Sequence, residues 1–382
     1  MHNFEPVVFL SFFALLGGLL YLGSILYLKK GWQGLINQRS VSRSGIEAIT
    51  VIVPMRNEEA KIKACLDSIL AQDYAASIKL IVVDDFSTDN SAEIVRAMED
   101  PRIELIELSS ILDPRRASLP NKKQALLEGA LRADSDWLLF TDADTAHEPS
   151  WAKSMMDSRR EDGLIVIGPI GLNPTSGFFG KFLELDQFSL TAIGMSSIQL
   201  GWPSMANGAN LLVSRDFVLQ DKFEGNQHMP TGDDYYLLSK AWEMDPAKVS
   251  VSLNLNSWVR TDAPLSFSEF LNPRRRWRST STAFGGMKLT AWLVTVYLWV
   301  FLLVLLLFLN PWLSMGLILF KSLADMLFLS SVLSYVKRSD LLFLVPLVQP
   351  IYLLYVLWAG PAGLRGTYNW KGRIVKPVKA KA

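Results

Sequence analysis

The chain has 382 residues, half of them hydrophobic and a fifth charged, and its formal net charge is +1. This balance lacks the basic excess that nucleic-acid binding needs, so we expect no nucleic-acid partner. A single cysteine, Cys65, excludes intramolecular disulfides and a cysteine-based zinc site, and we expect it to pack in the core. The length suffices for two or three domains.

The chain begins with a segment that predicts a membrane anchor. Residues 7–28 form an apolar run without a charge, long enough to cross a bilayer. Glu5 precedes this run in place of the basic region of a signal peptide, so residues 1–30 are predicted to be an uncleaved transmembrane anchor. Lysines and arginines that follow the run favour the cytoplasmic side. Residues 47–271 are therefore predicted to form a cytoplasmic domain.

Apolar segments with strand composition alternate in this domain with segments of helical periodicity. Strands are predicted at 48–54, 78–83, 103–108 and 137–140, and helices at 57–70 and 121–133. Asn90 and Glu93 have capping-box spacing, which predicts a helix start there. A β-α-β-α-β order predicts an α/β fold with a doubly wound, mostly parallel sheet. In such sheets ligands bind at the carboxyl ends of the strands.

Charged clusters follow the predicted strands at that edge. They are Pro54-x-Arg56-Asn57-Glu58, Asp84-Asp85 and Asp142-x-Asp144. The last two carboxylates are at i and i+2 and share one face of an extended chain, so a cation or a row of donors is needed between them. Mg²⁺ or Mn²⁺ carrying nucleotide phosphates suits such oxygen ligands. A single Asp-x-Asp is often a solvated turn, but the agreement of the clusters favours a binding site.

Further apolar stretches predict a second membrane region near the C-terminus. They cover 289–309, 311–336 and 341–359, within a predicted transmembrane region 287–360 that lies between an interfacial basic segment, 272–286, and a basic tail, 361–382. Three full crossings would place the tail outside, whereas its charges favour the inside, which we expect. Then either the last stretch is re-entrant or interfacial, or the middle one, which contains Lys321 and Asp325, does not span simply.

Six motifs in order resemble those of the inverting, membrane-anchored glycosyltransferases of family 2, which have the GT-A fold. They are VIVPMRNEEA (51–60), VVDDFSTDN (82–90), KKQALLEGALRADSDWLLFTDADT (122–145), NGANLLVSR (207–215), TGDDYYLLSK (231–240) and RRRW (274–277). The resemblance covers roughly residues 47–280. It implies metal-dependent transfer of a sugar from a nucleotide sugar to a membrane lipid or lipid-linked acceptor at the cell (inner) membrane, with a UDP-sugar as the expected donor.

The resemblance also implies roles for individual residues on the donor side. Nucleotide-sugar binding falls to Pro54, Arg56, Asn57, Glu58, Asp84, Asp85, Lys122, Asp142, Arg276 and Trp277. Asp144 would coordinate Mg²⁺ or Mn²⁺, and Asp142 would contact the ribose or the metal. The neighbouring Lys123 is interpreted as a solvated charge on a helix surface.

Transfer to a sugar or lipid hydroxyl also needs a base. The family has Glu-Asp at the position of Asp233-Asp234, and its second carboxylate is the base, which corresponds to Asp234. Because aspartate replaces the usual glutamate at Asp233, both stay candidates, and acids that merely favour a helix start are the alternative. The backbone of Gly208, Ala209 and Asn210 would lie near the acceptor.

The number of sugars added depends on the RRRW motif and the segments beside it. Arg276 would clamp the diphosphate and Trp277 would border the acceptor, but Pro273 stands where processive members have glutamine. This difference, with about four membrane segments, favours the addition of one or a few sugars to a lipid. Residues 177–203 predict an interfacial amphipathic helix or an ordinary core helix. The alternatives for the whole chain are a processive polysaccharide synthase and a non-catalytic membrane scaffold.

Overall fold

The computed structural model describes residues 4–37, 47–112, 121–227, 229, 231–271, 274, 287–362, 368–370 and 373–375. The predicted roles of Arg276 and Trp277, and most of the interfacial segment and basic tail, lie outside these residues. The chain divides into two compact units. We call residues 38–174, 205–264 and 369–382 the α/β unit, and residues 1–37, 175–204 and 265–368 the helical unit.

The helices and strands are numbered in chain order. The helices are α1 Phe4–Ile36, α2 Ile62–Leu70, α3 Ser91–Arg96, α4 Leu108–Ile111, α5 Asn121–Arg132, α6 Trp151–Asp157, α7 Gly177–Gln199, α8 Arg215–Asp221, α9 Asp233–Met244, α10 Met287–Leu309, α11 Pro311–Tyr335 and α12 Leu344–Ala362. The strands are β1 Ile49–Met55, β2 Ile78–Asp84, β3 Ile103–Glu107, β4 Trp137–Phe140, β5 Thr145–His147, β6 Ile165–Ile167, β7 Ile170–Leu172, β8 Leu211–Ser214, β9 Val249–Val251, β10 Val259–Thr261, β11 Tyr368–Trp370 and β12 Arg373–Val375.

A seven-stranded sheet in the order β3-β2-β1-β4-β8-β6-β9 forms the centre of the α/β unit. Strands β1 to β4 pair in parallel, and β6 is parallel to β9. The predicted doubly wound, mostly parallel sheet is therefore confirmed. Strand β8 is the exception, since it runs antiparallel to both β4 and β6. Its apolar residues are buried like those of its neighbours, so composition alone did not reveal its direction.

Strand register aligns the carboxyl ends on which the site was predicted. Met55 at the end of β1 is opposite Asp84 at the end of β2, and Ile52 is opposite Phe140 at the end of β4. The loops that follow these strands therefore leave the same edge of the sheet. Cys65 of α2 is 1% exposed and packs in the core below this edge, as the sequence predicted.

Helix α3 begins where the capping box predicted a start, but without the predicted cap. Asn90 precedes the helix, and its side chain makes no capping hydrogen bond. Instead, Nδ2 of Asn90 donates to Oε2 of Glu59 at 3.0 Å. A contact to a residue remote in sequence has replaced the local interaction on which the capping-box prediction depended.

Among the described residues of the helical unit, four helices are long and apolar enough to cross a membrane. The candidate spans are Glu5–Ile36, Met287–Leu309, Pro311–Tyr335 and Ser339–Trp358. They agree with the four apolar stretches read from the sequence. Helix α1 packs against α7, α10 and α11. At Gly31 of α1 a Cβ would lie 2.7 Å from the backbone oxygen of Ser196, so only glycine permits this approach to α7.

Helix α7 is a core helix of this unit, which settles the two alternatives left for residues 177–203. Its acidic residues Glu184 and Asp186 are 2% and 4% exposed, so neither contributes to a solvated face. Glu184 pairs with Arg338, and Asp186 pairs with Arg274 and accepts a hydrogen bond from the hydroxyl of Tyr352 at 3.2 Å. Buried charges need such partners, because an unpaired ion in the core is costly.

A polar cluster also joins three of the candidate spans. Asp325 of α11 lies 2.7 Å from Nζ of Lys321 and 2.8 Å from Nε2 of Gln349 on α12. The hydroxyl of Tyr21 on α1 donates to the same carboxylate. The two charges of the middle stretch, which complicated the topology expected from sequence, are therefore paired inside the helical unit rather than directed outward.

Candidate active site

The loops after β1 and β2 brace one another at the edge of the sheet. Asn57 and Phe86 have positive φ angles of 52° and 55°, which place both loops in tight turns. One guanidinium nitrogen of Arg56 donates to the backbone oxygens of Asp85 and Phe86 at 2.5 and 2.9 Å. Oδ1 of Asn57 accepts from the backbone nitrogen of Thr88 at 2.8 Å. Two residues predicted to bind nucleotide thus also hold this pair of loops in shape.

Asp84, which ends β2, and Asp85, which follows it, are both buried at this edge. Asp84 is 3% exposed and Asp85 is 2% exposed. Oδ2 of Asp84 accepts from the backbone nitrogen of Ser87 at 3.2 Å, whereas Oδ1 is buried without a hydrogen-bond partner among the described residues. Burial raises the pKa of Asp84, because it disfavours the charged form. A buried acceptor of this kind is suited to an N–H or O–H group of a ligand.

The other predicted residues of the first motif lie close by. Pro54 is in β1 opposite Val83, and its side chain is partly exposed at the edge. The backbone nitrogen of Glu58 donates to Oγ of Ser91 at 2.7 Å, which ties the first loop to α3. The first two motifs therefore form one continuous wall of the site.

The Asp142-x-Asp144 loop follows β4 and is supported from below by a buried histidine. Nε2 of His147 lies 2.8 Å from Oγ1 of Thr141, and Nδ1 lies 2.9 Å from Oγ of Ser68. Oγ1 of Thr141 also donates to the backbone oxygen of Ala209 at 2.9 Å. Burial lowers the pKa of His147 to about 3, so the imidazole is neutral near pH 7. Sequence reasoning did not assign this support to His147.

Lys122 lies between Asp142 of the third motif and Asp233 of the fifth. Its Nζ lies 2.7 Å from Oδ1 of Asp142, and both side chains are partly exposed, by 21% and 38%. A Cβ at Gly208 would lie 3.2 Å from this Nζ and 3.3 Å from Oδ2 of Asp233. Although burial opposes the charge, Asp142 and Asp233 raise the pKa of Lys122 above its usual range. Residues from three motifs thus meet around one ammonium group.

The neighbouring Lys123 is not the solvated surface charge that we predicted. It is 0% exposed, and its Nζ donates to the backbone oxygen of Asn226 at 2.7 Å and to that of Met229. Burial lowers the pKa of Lys123 to about 8, against the attraction of Asp233 and Asp234. The prediction was wrong because both carbonyl partners lie about a hundred residues further along the chain.

The two candidate bases differ in accessibility. Both begin α9, directly after Gly232, whose φ of 83° turns the chain into the helix. Asp233 is buried, with 6% exposure, and its carboxylate points toward Gly208 and Lys122. Asp234 is partly exposed, and its Oδ1 accepts from the backbone nitrogen of Tyr235 at 2.7 Å. A base must reach an incoming hydroxyl, so the geometry favours Asp234 over Asp233.

The predicted acceptor-side segment contains one residue whose side chain belongs to the core. Nδ2 of Asn210 donates to the backbone oxygens of Pro169 and Ser257, at 2.7 Å each, and its Oδ1 accepts from Nε1 of Trp151 at 2.9 Å. Asn210 and Ala209 are 0% and 4% exposed. Only the Gly208 end of this segment therefore borders the Lys122 and Asp233 side chains.

Lys61 and Asp262 extend the site and were not predicted. Nζ of Lys61 lies 3.0 Å from Oδ2 of Asp262, and Nδ2 of Asn173 donates to Oδ1 of Asp262 at 2.8 Å. The carboxylates of Asp262 and Asp144 both contribute to raising the pKa of Lys61, although burial acts in the opposite direction. Lys61 directly follows the first motif and could have been recognised there, whereas no sequence signal marks Asp262.

The acidic residues of the site can hold a divalent cation only if a bound ligand supplies further oxygen atoms. Among the described residues, no group of three or more His, Cys, Asp or Glu side chains is placed to hold a metal ion. Mg²⁺ in nucleotide-dependent enzymes is commonly held by one or two carboxylates together with substrate phosphates. Asp142 and Asp144, which follow β4 and are both partly exposed, could supply these two carboxylates.

Comparison with known proteins gives sequence matches over parts of the chain and a structural match over most of it. The sequence model described as "Glycosyl transferase family 2" matches residues 50–206. An N-acetylglucosaminyltransferase from Bradyrhizobium diazoefficiens is 34% identical over 29% of this chain and 24% of its own length. An undecaprenyl-phosphate 4-deoxy-4-formamido-L-arabinose transferase from Photorhabdus laumondii is 30% identical over 36% of this chain and 41% of its own length. The matches thus span about a quarter and two fifths of these relatives.

The structural match covers more of the chain. The mannosyltransferase PcManGT from Pyrobaculum calidifontis, solved in complex with GDP-Man and Mn²⁺, has a TM-score of 0.53 and 17% sequence identity. The alignment covers 93% of this chain and 99% of that one. At this identity the likeness concerns the fold, and it confirms the GT-A fold predicted from the sequence motifs.

Proposed function

Since this chain belongs to glycosyl transferase family 2, as its motifs predicted, we propose that it transfers a sugar from a nucleotide sugar to a lipid or lipid-linked acceptor. The transfer depends on a divalent cation and inverts the anomeric carbon. The observation that carries this proposal is the position of Lys122, 2.7 Å from Asp142 on the donor side and beside Asp233 across Gly208. Donor and acceptor carboxylates thereby meet at one edge of the sheet.

The walls formed by the first two motifs are suited to the nucleoside. Asp84 retains a buried acceptor oxygen that can take a hydrogen bond from the base or ribose, and Asp85, Asn57 and Glu58 lie in the loops beside it. Lys122 supplies positive charge where the diphosphate would lie, because phosphate is attracted to an ammonium group held at an open strand edge. A UDP-sugar is the proposed donor, on the resemblance of the motifs alone.

Asp144 and Asp142 would hold Mg²⁺ or Mn²⁺ together with the diphosphate of the donor. A bound divalent cation supplies electrostatic stabilisation to the diphosphate as negative charge develops on it. The solved relative described above contains Mn²⁺ with GDP-Man, which supports this cation chemistry for the fold. The ammonium group of Lys122 adds a second positive charge beside Asp142.

Asp234 acts as the general base in this proposal. Its carboxylate takes the proton of the acceptor hydroxyl while the hydroxyl oxygen forms a bond to the anomeric carbon. The bond between that carbon and the diphosphate oxygen breaks on the opposite face, and the electron pair leaves with the nucleoside diphosphate. Attack from one face and departure from the other invert the anomeric centre. Asp233 is buried and positions the start of α9 against Gly208 and Lys122.

A membrane acceptor is supported by the four apolar helices of the helical unit. The relative from Photorhabdus laumondii is named for transfer involving undecaprenyl phosphate, a lipid. We propose that the chain is an integral protein of the cell (inner) membrane with its α/β unit in the cytoplasm, since basic residues follow the first span.

The test is a transfer assay with the full chain purified in detergent. The protein is incubated with a native lipid extract, Mg²⁺ or Mn²⁺ and labelled uridine- and guanosine-diphosphate sugars, and the organic phase is separated by thin-layer chromatography. We expect one discrete labelled lipid, absent with Asp234→Asn. Label in an insoluble polymer would favour a processive synthase instead. Absence of turnover with every donor, from protein that is folded by thermal unfolding, would contradict the enzymatic proposal.

A further inference from the structure

Lys123 is a buried cation that the proposed chemistry does not use. Its side chain is 0% exposed, and its Nζ donates to the backbone oxygens of Asn226 and Met229. Burying an ammonium group is costly unless hydrogen bonds and opposite charge compensate. Here two carbonyl groups supply the hydrogen bonds, and Asp233 and Asp234 supply the opposite charge. The cost is therefore met only while the turn at 226–229 is in place.

This turn is attached to the first turn of α9. Nδ2 of Asn226 donates to the backbone oxygen of Gly232 at 3.1 Å, and the same oxygen accepts the helical hydrogen bond from the nitrogen of Tyr236 at 3.0 Å. The hydroxyl of Tyr236 accepts from the nitrogen of Gly225 at 3.0 Å and donates to Oδ2 of Asp221 at 3.0 Å. The turn is thus tied to α9 on both sides of Asp233 and Asp234.

We propose that Lys123 is a positioning residue. It fixes the turn at 226–229 and, through Asn226 and Gly232, the direction of the Asp234 carboxylate. Lys122 and Lys123 are adjacent in one motif but have different partners. Nζ of Lys122 donates to Asp142 on the proposed donor side, and Nζ of Lys123 donates to the backbone that precedes the proposed base. The inference deepens the proposed function and rests on it for the role of Asp234.

An ammonium group suits this place because it carries three donors on a compact head. Methionine would retain the length and apolar stem of Lys123 but remove its hydrogen bonds to the backbone oxygens of Asn226, which is buried, and Met229, which is partly exposed. The oxygen of Asn226 would keep only its bond from the nitrogen of Met229. Loss of these bonds weakens the segment that carries the two oxygens first, so we expect the turn and the start of α9 to loosen before the sheet does.

The test is hydrogen–deuterium exchange by mass spectrometry on the full chain in detergent, with Lys123→Met and a matched control, Lys63→Met. Lys63 is also on a helix of the α/β unit, but its side chain is 66% exposed. With Lys123→Met we expect exchange about tenfold faster in peptides covering 224–237 and unchanged exchange in peptides covering β1 and β4. With Lys63→Met all these peptides should match the unmodified protein. Equally faster exchange in β1 and β4 would overturn the positioning role in favour of general destabilisation, and unchanged exchange in 224–237 would overturn it outright.

Kinetics then separate positioning from binding. With the donor identified by the transfer assay, Lys123→Met should lower kcat about tenfold or more while the Kd for the nucleotide stays within about twofold, because the donor-side walls are untouched. Lys123→Arg, which keeps the charge and donors, should recover part of the rate. Equal losses of kcat and nucleotide binding would contradict the proposal.

A second variant covers the case in which Lys123→Met does not fold. Tyr236→Phe removes only the hydroxyl between Gly225 and Asp221 and should raise exchange in the same 224–237 peptides, by a smaller factor. If the unmodified protein transfers no sugar, the proposed function fails. The exchange measurement still decides whether Lys123 holds the turn, because it needs no substrate.

Discussion

Nζ of Lys122 lies 2.7 Å from Oδ1 of Asp142, and the same lysine borders Asp233 where Gly208 leaves no side chain between them. One ammonium group therefore balances acids that come from motifs about ninety residues apart. A change at any of these positions alters the charge experienced by the others.

Replacing Lys122 should weaken donor binding. In Lys122→Met, Asp142 loses its cation and repels the diphosphate, so we expect the Kd for the nucleotide to rise about tenfold and transfer to fall at least as much. Isothermal titration with the nucleoside diphosphate and the cation measures the first effect. Lys153→Met, at an exposed position of α6, is the control and should bind normally. Unchanged binding with Lys122→Met would contradict a donor-side role.

Gly208→Ala should reduce transfer with little change in stability. The added Cβ would lie 3.2 Å from Nζ of Lys122 and 3.3 Å from Oδ2 of Asp233, which must both shift by a few tenths of an ångström. Lys122 and Asp233 border the proposed reaction site, and small displacements there are expensive for rate, so we expect about a tenfold loss in kcat. Gly23→Ala in α1, where a Cβ meets nothing within 4 Å, is the matched control. Equal activity of the two variants would show that this approach is unimportant.

Asp144→Ala and Asp234→Asn should both abolish transfer for different reasons. Only Asp144→Ala should greatly weaken cation-dependent nucleotide binding, because Asp234 is assigned to the acceptor hydroxyl. Nucleotide titrations with and without Mn²⁺ distinguish the two variants. The assignment of Asp234 as the base would be wrong if both lost nucleotide binding equally.

His147 should make stability fall with acidification. Its pKa is about 3 in the folded protein and about 6.5 in an unfolded chain, so between these values only the unfolded state takes up the proton. Stability is therefore complete above about pH 6.5 and decreases as the pH falls, by up to about 1.4 kcal/mol per pH unit from this group. His147→Gln removes this contribution. Thermal unfolding in detergent between pH 7 and 5 should be less pH-dependent for the variant, and an unchanged slope would contradict the assignment.

The buried pair of Asp186 and Arg274 should show strong coupling. Their side chains are 6% and 8% exposed, and the guanidinium also lies 3.5 Å from the ring centre of Phe270. Asp186→Leu alone leaves a buried cation and should cost about 3 kcal/mol of unfolding free energy. The double variant with Arg274→Met should be markedly more stable than Asp186→Leu. Denaturant unfolding of the single and double variants measures this difference, and simple addition of the two losses would contradict it.

The sequence predicted those parts of the site whose pattern lies within one short segment. Acids directly after apolar strands located the edge of the sheet, and the parallel order of β1, β2 and β4 then brought Asp84 and Asp142 to that edge. The hydrogen-bond partners of Lys123 were not local, because the two carbonyl groups lie 103 and 106 residues further along the chain. Its inward position was local, since Lys123 stands three and seven residues before the buried Leu126 and Ala130 on the same helix. This helical spacing outweighs the usual exposure of lysine.

Long-range pairing explains the other differences between sequence and structure. The two alternatives for residues 177–203 stayed open in the sequence because the partners of Glu184 and Asp186 are Arg338 and Arg274, which follow them by 154 and 88 residues. Strand β8 is as apolar as β4 and β6 beside it, so its composition does not indicate that it runs antiparallel to them. Such features depend on which distant segments meet, and no periodicity in one segment encodes that.

The polar cluster around Asp325 lies on helices that are long and apolar enough to cross a membrane, and it would affect their insertion into a bilayer during synthesis. Each charged side chain at the centre of a span costs about 2.5–3.5 kcal/mol on insertion, and α11 contains both Lys321 and Asp325. Tyr21 belongs to a helix that is already synthesised at that moment, whereas Gln349 belongs to one that is not. Lys321 and Asp325 already pair within α11. In a bilayer, Tyr21 of the earlier helix and Gln349 of the later one would lower the remaining cost of these charges in the order in which the helices are synthesised.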